Sequence, residues 1–77
     1  MKCYVFKGGG LFGFSTRVRG ITDDKTGKKL PRRKLGGWAY DKEVEINPSS
    51  GQVLGVNADV ILAAIAKDGY LWLYLKD

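Results

Sequence analysis

Few residues in this sequence could carry out chemistry, and the chain contains no histidine. This removes the commonest general base and the commonest metal ligand of proteins, together with every catalytic triad that relies on imidazole. Cys3 is the single cysteine, and no histidine is present to activate it as a nucleophile. We therefore interpret Cys3 as a small buried hydrophobic residue on a first strand, and we predict that the protein is not an enzyme.

Candidate metal and phosphate sites are also incomplete. Asp23 and Asp24 look like the start of a calcium loop, but such a loop would end on Lys34 or Leu35, where a bidentate glutamate is required. Three carboxylates alternate along a later segment and could hold a divalent cation, although a solvated strand face explains them better. These are Asp41, Glu43 and Glu45. The glycines after Lys7 lack the P-loop spacing and indicate a hairpin turn, so we expect no metal and no cofactor.

The basic residues give the clearest binding signal. The formal net charge is +5, and eight of the 13 lysines and arginines lie between residues 17 and 34, where the acids are Asp23 and Asp24. These cations are Arg17, Arg19, Lys25, Lys28, Lys29, Arg32, Arg33 and Lys34. Clustered cations repel one another unless a counter-surface is present, so the segment indicates an acidic partner; a solvated loop is the alternative.

The apolar pattern around the basic segment indicates strands. Residues 2–7 and 11–18 alternate and are rich in β-branched and aromatic side chains, and the glycines between them predict an N-terminal hairpin. Residues 20–37 contain few apolar side chains and a proline, which predicts a long basic loop or a frayed extension of the hairpin. Residues 38–46 predict a third strand whose unbroken alternation places its aromatic residues on the same face as its valine. A short return strand is expected at 52–56.

A single helix is marked by signals at both ends. Asn57 is a favourable N-cap and Asp59 places a negative charge in the first turn, so the helix is predicted to begin near Ala58. Lys67 in the last turn and Gly69 as a left-handed residue after it predict the end. Apolar residues at helical spacing give the helix one buried side. They are Ala58, Val60, Ile61, Leu62, Ala64 and Ile65.

The final apolar run, residues 70–75, predicts a strand with two rows of large side chains. Side chains alternate along a strand, so three leucines share one face and three aromatic residues share the other. Because one helix covers one face of a small sheet, we expect the leucines beneath the helix and the aromatics on an open face. That open aromatic face comprises Tyr70, Trp72, Tyr74, Trp38 and Tyr40. The alternative for these aromatics is a second small core beneath the long loop, because so small a domain needs its aromatic residues for stability. Truncation of Trp72 should then cost less stability than truncation of a leucine.

Together these elements predict an α+β fold over residues 1–77, as a single domain. We expect an antiparallel-rich sheet of about three to five strands, in the order β-β-β-(β)-α-β, with one helix packed on one face. No apolar run is long enough to span a bilayer, and the first residues lack the pattern of a signal peptide. With one cysteine, the chain is predicted to be cytoplasmic and to have no membrane partner.

A basic loop beside an open aromatic face is a common way to hold single-stranded nucleic acid, by base stacking and by charge along the backbone. We therefore predict a small non-enzymatic binding module that engages an acidic partner, with nucleic acid as the leading candidate. The alternative is a protein-interaction or self-associating module, for example a homodimer or a small phage-type or accessory protein that blocks a larger partner.

Overall fold

The fold is built on a four-stranded antiparallel sheet, seen in a computed structural model that describes residues 1–10, 17–32 and 36–75. The elements in chain order are β1 (Lys2–Gly8), β2 (Val18–Thr22), β3 (Trp38–Glu45), β4 (Gln52–Val53), β5 (Val56–Asn57), α1 (Ala58–Asp68) and β6 (Tyr70–Tyr74). The sheet order is β3-β1-β2-β6, β4 and β5 form a separate hairpin, and α1 packs mainly against β6. The predicted α+β class and element order are confirmed.

The helix begins and ends where the sequence predicts. Asn57 has the extended backbone of an N-cap, but its side chain makes no capping hydrogen bond; instead the Ala58 amide donates to the Gly51 carbonyl at 2.7 Å. Gly69 ends the helix in the left-handed conformation, with φ of 88°, and its amide donates to the Ile65 carbonyl at 2.8 Å. Among the described residues, no helix is long and apolar enough to cross a membrane.

The main core lies between the helix and one face of the sheet. Its buried side chains are Cys3, Val5, Ile21, Ile46, Ala58, Ile61, Ile65 and Leu73. Leu71 and Leu75 pack against this cluster, which confirms that the leucine row of β6 faces the helix. Cys3 is fully buried on β1, as expected. Val60 differs from the prediction because it is 51% exposed, on the solvent side of the first helical turn.

The N-terminal hairpin pairs β1 with a strand that begins later than the sequence suggests. β1 aligns with β2 in the register Tyr4 to Thr22 and Lys7 to Arg19. Residues 11–16, most of the predicted second strand, lie outside the described residues. The predicted loop boundary at residue 20 is wrong, because Gly20 belongs to β2 and the fully buried Thr22 ends it. The basic loop therefore begins at Asp23.

A β-bulge changes the phase of β3. Val5 pairs with Lys42, but the next residue of β1, Phe6, pairs with Tyr40, so Asp41 is an extra residue in β3. One extra residue reverses the face of every side chain that precedes it. The unbroken alternation predicted for this strand is therefore wrong: Val44 faces the helix, whereas Tyr40 lies on the opposite face with Phe6.

Candidate binding surface

The basic segment forms a strap across the sheet, defined here as residues 23–37, of which 23–32 and 36–37 are described. It connects β2 to β3, and β1 lies between those strands in the sheet, so the strap must cross β1. It crosses on the face opposite the helix. Leu30 packs over Gly20 of β2, and Gly27 packs over the ring of Phe6 of β1. Phe6 and Gly20 are sequence neighbours of Val5 and Ile21, which belong to the main core, and successive side chains of a strand point to opposite faces. The strap therefore covers the face of the sheet opposite the main core.

Beneath the strap lies a second, smaller core. Leu30 is 8% exposed, and its Cδ2 lies 2.7 Å from the position that a Cβ on Gly20 would occupy, so glycine permits this close approach. The Trp38 ring packs on the same glycine and meets the Trp72 ring edge to face, with centroids 5.5 Å apart. Trp38 Nε1 also donates a hydrogen bond of 2.8 Å to the Pro31 carbonyl. These contacts fix the strap to the sheet.

The predicted open aromatic face is therefore covered at its centre. Trp38 and Trp72 are half-buried beneath the strap, and Tyr70 is half-buried as well. Tyr40 and Tyr74 remain exposed, at 51% and 69%, on the two opposite edge strands. The expectation of a wholly open face is wrong because a connection between strands that are not neighbours has to pass over the sheet, and the large aromatic surface is what it packs against.

Two consecutive turns shape the described part of the strap. The Gly27 amide donates to the Asp24 carbonyl, and the Leu30 amide donates to the Gly27 carbonyl, each at 3.0 Å. Lys25 and Lys28 each follow the first residue of a turn, and both are exposed. Gly27 has φ of 75°, and a Cβ there would stand 3.0 Å from Phe6. The turns therefore hold two lysines outward while the glycine between them packs on the sheet.

The Asp24 carboxylate stabilises the first of these turns. Its Oδ1 accepts hydrogen bonds from the Thr26 hydroxyl at 2.7 Å and from the Thr26 amide at 3.0 Å. These two bonds lower the pKa of Asp24, and the bond from the Thr26 hydroxyl makes the larger contribution. Because the folded-state pKa lies below the ordinary value, the bonds favour the folded turn at neutral pH, and this contribution is lost as the pH falls through the lowered pKa.

The start of the strap is tied to the end of the helix. The Thr22 hydroxyl donates to the Gly69 carbonyl at 2.7 Å and accepts a hydrogen bond from the Asp24 amide at 3.2 Å. The Lys29 stem lies against Gly69, where a Cβ would stand 3.2 Å from Lys29 Cδ. Lys29 Nζ is 3.0 Å from Asp23 Oδ1, so this cation has a carboxylate partner. The Lys29 charge is therefore paired within the protein, and its stem packs on the protein's own surface.

The other described cations of the strap have no such partner. Lys25, Lys28 and Arg32 are exposed, and none forms an ion pair within residues 1–10, 17–32 and 36–75. Arg33 and Lys34 belong to the predicted set but lie outside the described residues. The strap therefore presents at least three positive side chains to solvent from a backbone that is anchored at several points.

Two predicted site residues lie away from the strap. Arg19 shares a face with Ile21, which is in the main core, so its side chain is on the helix side of the sheet, where Nη1 donates to the Val18 carbonyl at 2.9 Å. Arg17 is exposed just before β2, at the opposite end of that strand from Asp23. The structure therefore groups Lys25, Lys28, Lys29 and Arg32 and separates Arg19 from them.

The remaining polar groups do not form a metal site in the described part of the chain. Asp41 is the bulge residue and lies 3.8 Å from Lys7 Nζ, and Glu43 and Glu45 are exposed on β3. Burial raises the pKa of the Cys3 thiol, which keeps it protonated.

No family model, curated protein or solved structure matches this chain.

The far end of the strap depends on a glycine that offers a sharp test of its anchoring. Gly36 has φ of 66°, and a Cβ there would lie 2.6 Å from the carbonyl carbon of Gly9, whose amide donates to the Gly37 carbonyl at 2.8 Å. Gly51 has a similar φ of 74° but open space around it. We expect Gly51→Ala to cost about 1–2 kcal/mol of unfolding free energy from conformation alone. Gly36→Ala should cost about 1 kcal/mol or more beyond that, because backbone atoms must move apart.

Denaturant unfolding of both variants measures this difference, with Gly37→Ala as a control that has neither a positive φ nor a contact within 4 Å. Equal losses for Gly36→Ala and Gly51→Ala would mean that the end of the strap does not pack against Gly9.

Proposed function

We propose that the protein is a non-enzymatic binding module whose strap engages an acidic partner, with nucleic acid as the leading candidate. One observation carries this proposal. Lys25, Lys28 and Arg32 are exposed and have no carboxylate partner in the described residues, yet the backbone that bears them is anchored to the sheet. The anchoring packs the second core, and it also keeps the three cations in fixed positions, which a mobile solvated loop would not do.

The physical basis is charge neutralisation on an ordered backbone. Cations held close together repel one another, and a row of phosphates relieves that repulsion while releasing condensed counterions. An ordered strap also loses less conformational entropy on binding than a disordered one. The proposal places the protein in the cytoplasm, where nucleic acid is accessible and a free cysteine stays reduced.

The test is the affinity for oligonucleotides as a function of salt. The double variant Lys25→Gln/Lys28→Gln should bind more weakly at low salt. If each lysine contacts one phosphate, the slope of log affinity against log salt should fall in magnitude by about 1.4 for a single strand. The matched control is Lys42→Gln/Lys67→Gln, which removes the same charge from exposed lysines of β3 and α1 that lie outside the strap.

Two results would count against the proposal. If the control variant weakens binding as much as the strap variant does, affinity reports net charge and not the strap. If the wild-type protein shows no micromolar affinity for any DNA or RNA at low salt, nucleic acid is not the partner.

The alternative, a protein-interaction or self-associating module, is favoured by the edge of β6. The β3 edge carries the Asp41 bulge and several charges, devices that discourage strand pairing, whereas β6 carries no charged residue. Tyr74 is 69% exposed and borders an apolar groove of about 240 Å³. The groove is also lined by Leu54, Gly55, Val56 and Leu75. A dimer in sedimentation experiments that Tyr74→Arg dissociates would support this function.

A further inference from the structure

We propose that Tyr40 is a base-stacking residue beside the strap, so that the preferred partner is single-stranded nucleic acid with an unpaired base. This inference rests on the proposed function and deepens it. It assigns the phosphates to the strap lysines and one base to a single tyrosine.

The bulge in β3 places Tyr40 next to the strap. With Asp41 as the extra residue, Tyr40 lies opposite Phe6 on the face that the strap crosses, and the two rings meet edge to face with centroids 5.7 Å apart. The same Phe6 ring touches Gly27, the glycine between Lys25 and Lys28. One aromatic ring therefore separates Tyr40 from the turns that carry the exposed lysines. Bulges often re-aim a side chain in this way near functional sites.

Among the aromatic residues of this face, Tyr40 combines exposure with proximity to the strap. Phe6 is 5% exposed, and Trp38 is half-buried, packed with Leu30 on Gly20 and against Trp72, so these rings have no free face of comparable size. Tyr74 is more exposed, but it lies on the opposite edge strand, about 14 Å away at the usual strand spacing. Contact with Phe6 also restricts the Tyr40 ring, which lowers the entropy lost when a base stacks on it.

The charges around Tyr40 set the direction of the bound strand. Glu43 lies opposite Tyr4 on the same face of β3 as Tyr40 and is exposed, whereas Glu45, two residues further along, is paired with the N-terminal ammonium at 3.0 Å. The Glu43 carboxylate repels phosphates, so we expect a strand whose base stacks on Tyr40 to leave towards the strap lysines and not along β3. In a duplex the base faces are already stacked on their neighbours, so Tyr40 distinguishes single strands from duplexes.

The experiment compares Tyr40→Ala with Tyr74→Ala, which removes a more exposed tyrosine from the far edge. Fluorescence anisotropy is measured with a labelled single-stranded oligonucleotide and with its duplex at the same salt. Tyr40→Ala should weaken single-strand binding by about 5- to 150-fold, the range for loss of one stacked base, without changing the salt slope. Its duplex affinity should stay the same, and Tyr74→Ala should leave both affinities unchanged.

The conservative variant Tyr40→Trp separates stacking from folding, because it keeps an aromatic face and should retain or strengthen single-strand binding. The inference is overturned if Tyr40→Ala weakens single-strand and duplex binding equally, or weakens neither, while the strap lysine variant still lowers affinity; the proposed function survives that outcome. If the wild-type protein binds no oligonucleotide, both are overturned.

Discussion

Leu73→Ala should lower the free energy of unfolding by about 2–5 kcal/mol. Leu73 is 7% exposed and belongs to the buried cluster that contains Ile61 and Ile65 of the helix. Removing its side chain leaves a cavity between β6 and α1, the pair of elements that joins the helix to the sheet. Since small domains are stable by about 5–15 kcal/mol, this loss would unfold a large share of the molecules on modest heating.

Denaturant unfolding followed by tryptophan fluorescence measures the loss. The neighbouring Tyr74→Ala is the control, because Tyr74 points to the opposite face and is 69% exposed, so its truncation should change stability by about 0.5 kcal/mol or less. If the two variants unfold at the same denaturant concentration, the leucine row does not form the main core.

Trp38→Ala should cost about 3–5 kcal/mol, through loss of the second core. The Trp38 ring packs on Gly20 and against Trp72, and its Nε1 donates a hydrogen bond to the Pro31 carbonyl. Truncation therefore removes the contacts that join the strap to the sheet and leaves the partly buried Pro31 carbonyl without its donor. We expect the strap to detach before the rest of the protein unfolds, because the helix side does not depend on Trp38.

Hydrogen exchange can locate this effect. In Trp38→Ala, the amides of Gly27 and Leu30, which close the two turns, should exchange faster, while helix amides that share the main core should change less. Tyr40→Ala, on the same strand and face but exposed, is the control and should cost about 0.5–1.5 kcal/mol through its contact with Phe6. Unchanged exchange at Gly27 and Leu30 in Trp38→Ala would show that the strap is held by other contacts.

Trp72 illustrates how the structure alters an expectation. The alternation of β6 correctly separates its leucines from its aromatics. With one helix on one face, however, it predicts that Trp72 faces solvent and that its truncation lowers the free energy of unfolding only slightly. In the structure Trp72 meets Trp38 beneath the strap and is half-buried. Both faces of the sheet are therefore packed, one by the helix and one by the strap, and stability is shared between two small cores.

The sequence alone determined the features whose causes are local. The helix stops before Gly69 because a left-handed glycine acts within a few residues. It starts at Ala58 as predicted, although the Gly51 carbonyl and not the Asn57 side chain accepts the hydrogen bond of the Ala58 amide. The burial of Leu73 follows from the two-residue period of a strand next to an amphipathic helix. The basic character of the strap is a matter of composition, so it too could be predicted, whereas the inclusion of Arg19 is wrong because its side chain lies on the helix side of the sheet.

Only the tertiary structure decided which side chains meet across the sheet. The bulge at Asp41 exists because β3 pairs with β1, a partner more than thirty residues away in sequence, and it turns Tyr40 towards the strap. The strap covers the aromatic face because β1 lies between the strands that it connects. Strand order and register depend on such distant pairings, and no local pattern encodes them. For that reason the sequence could identify the cations and the aromatics, whereas their placement on one face, and the burial of most of the aromatics there, required the fold.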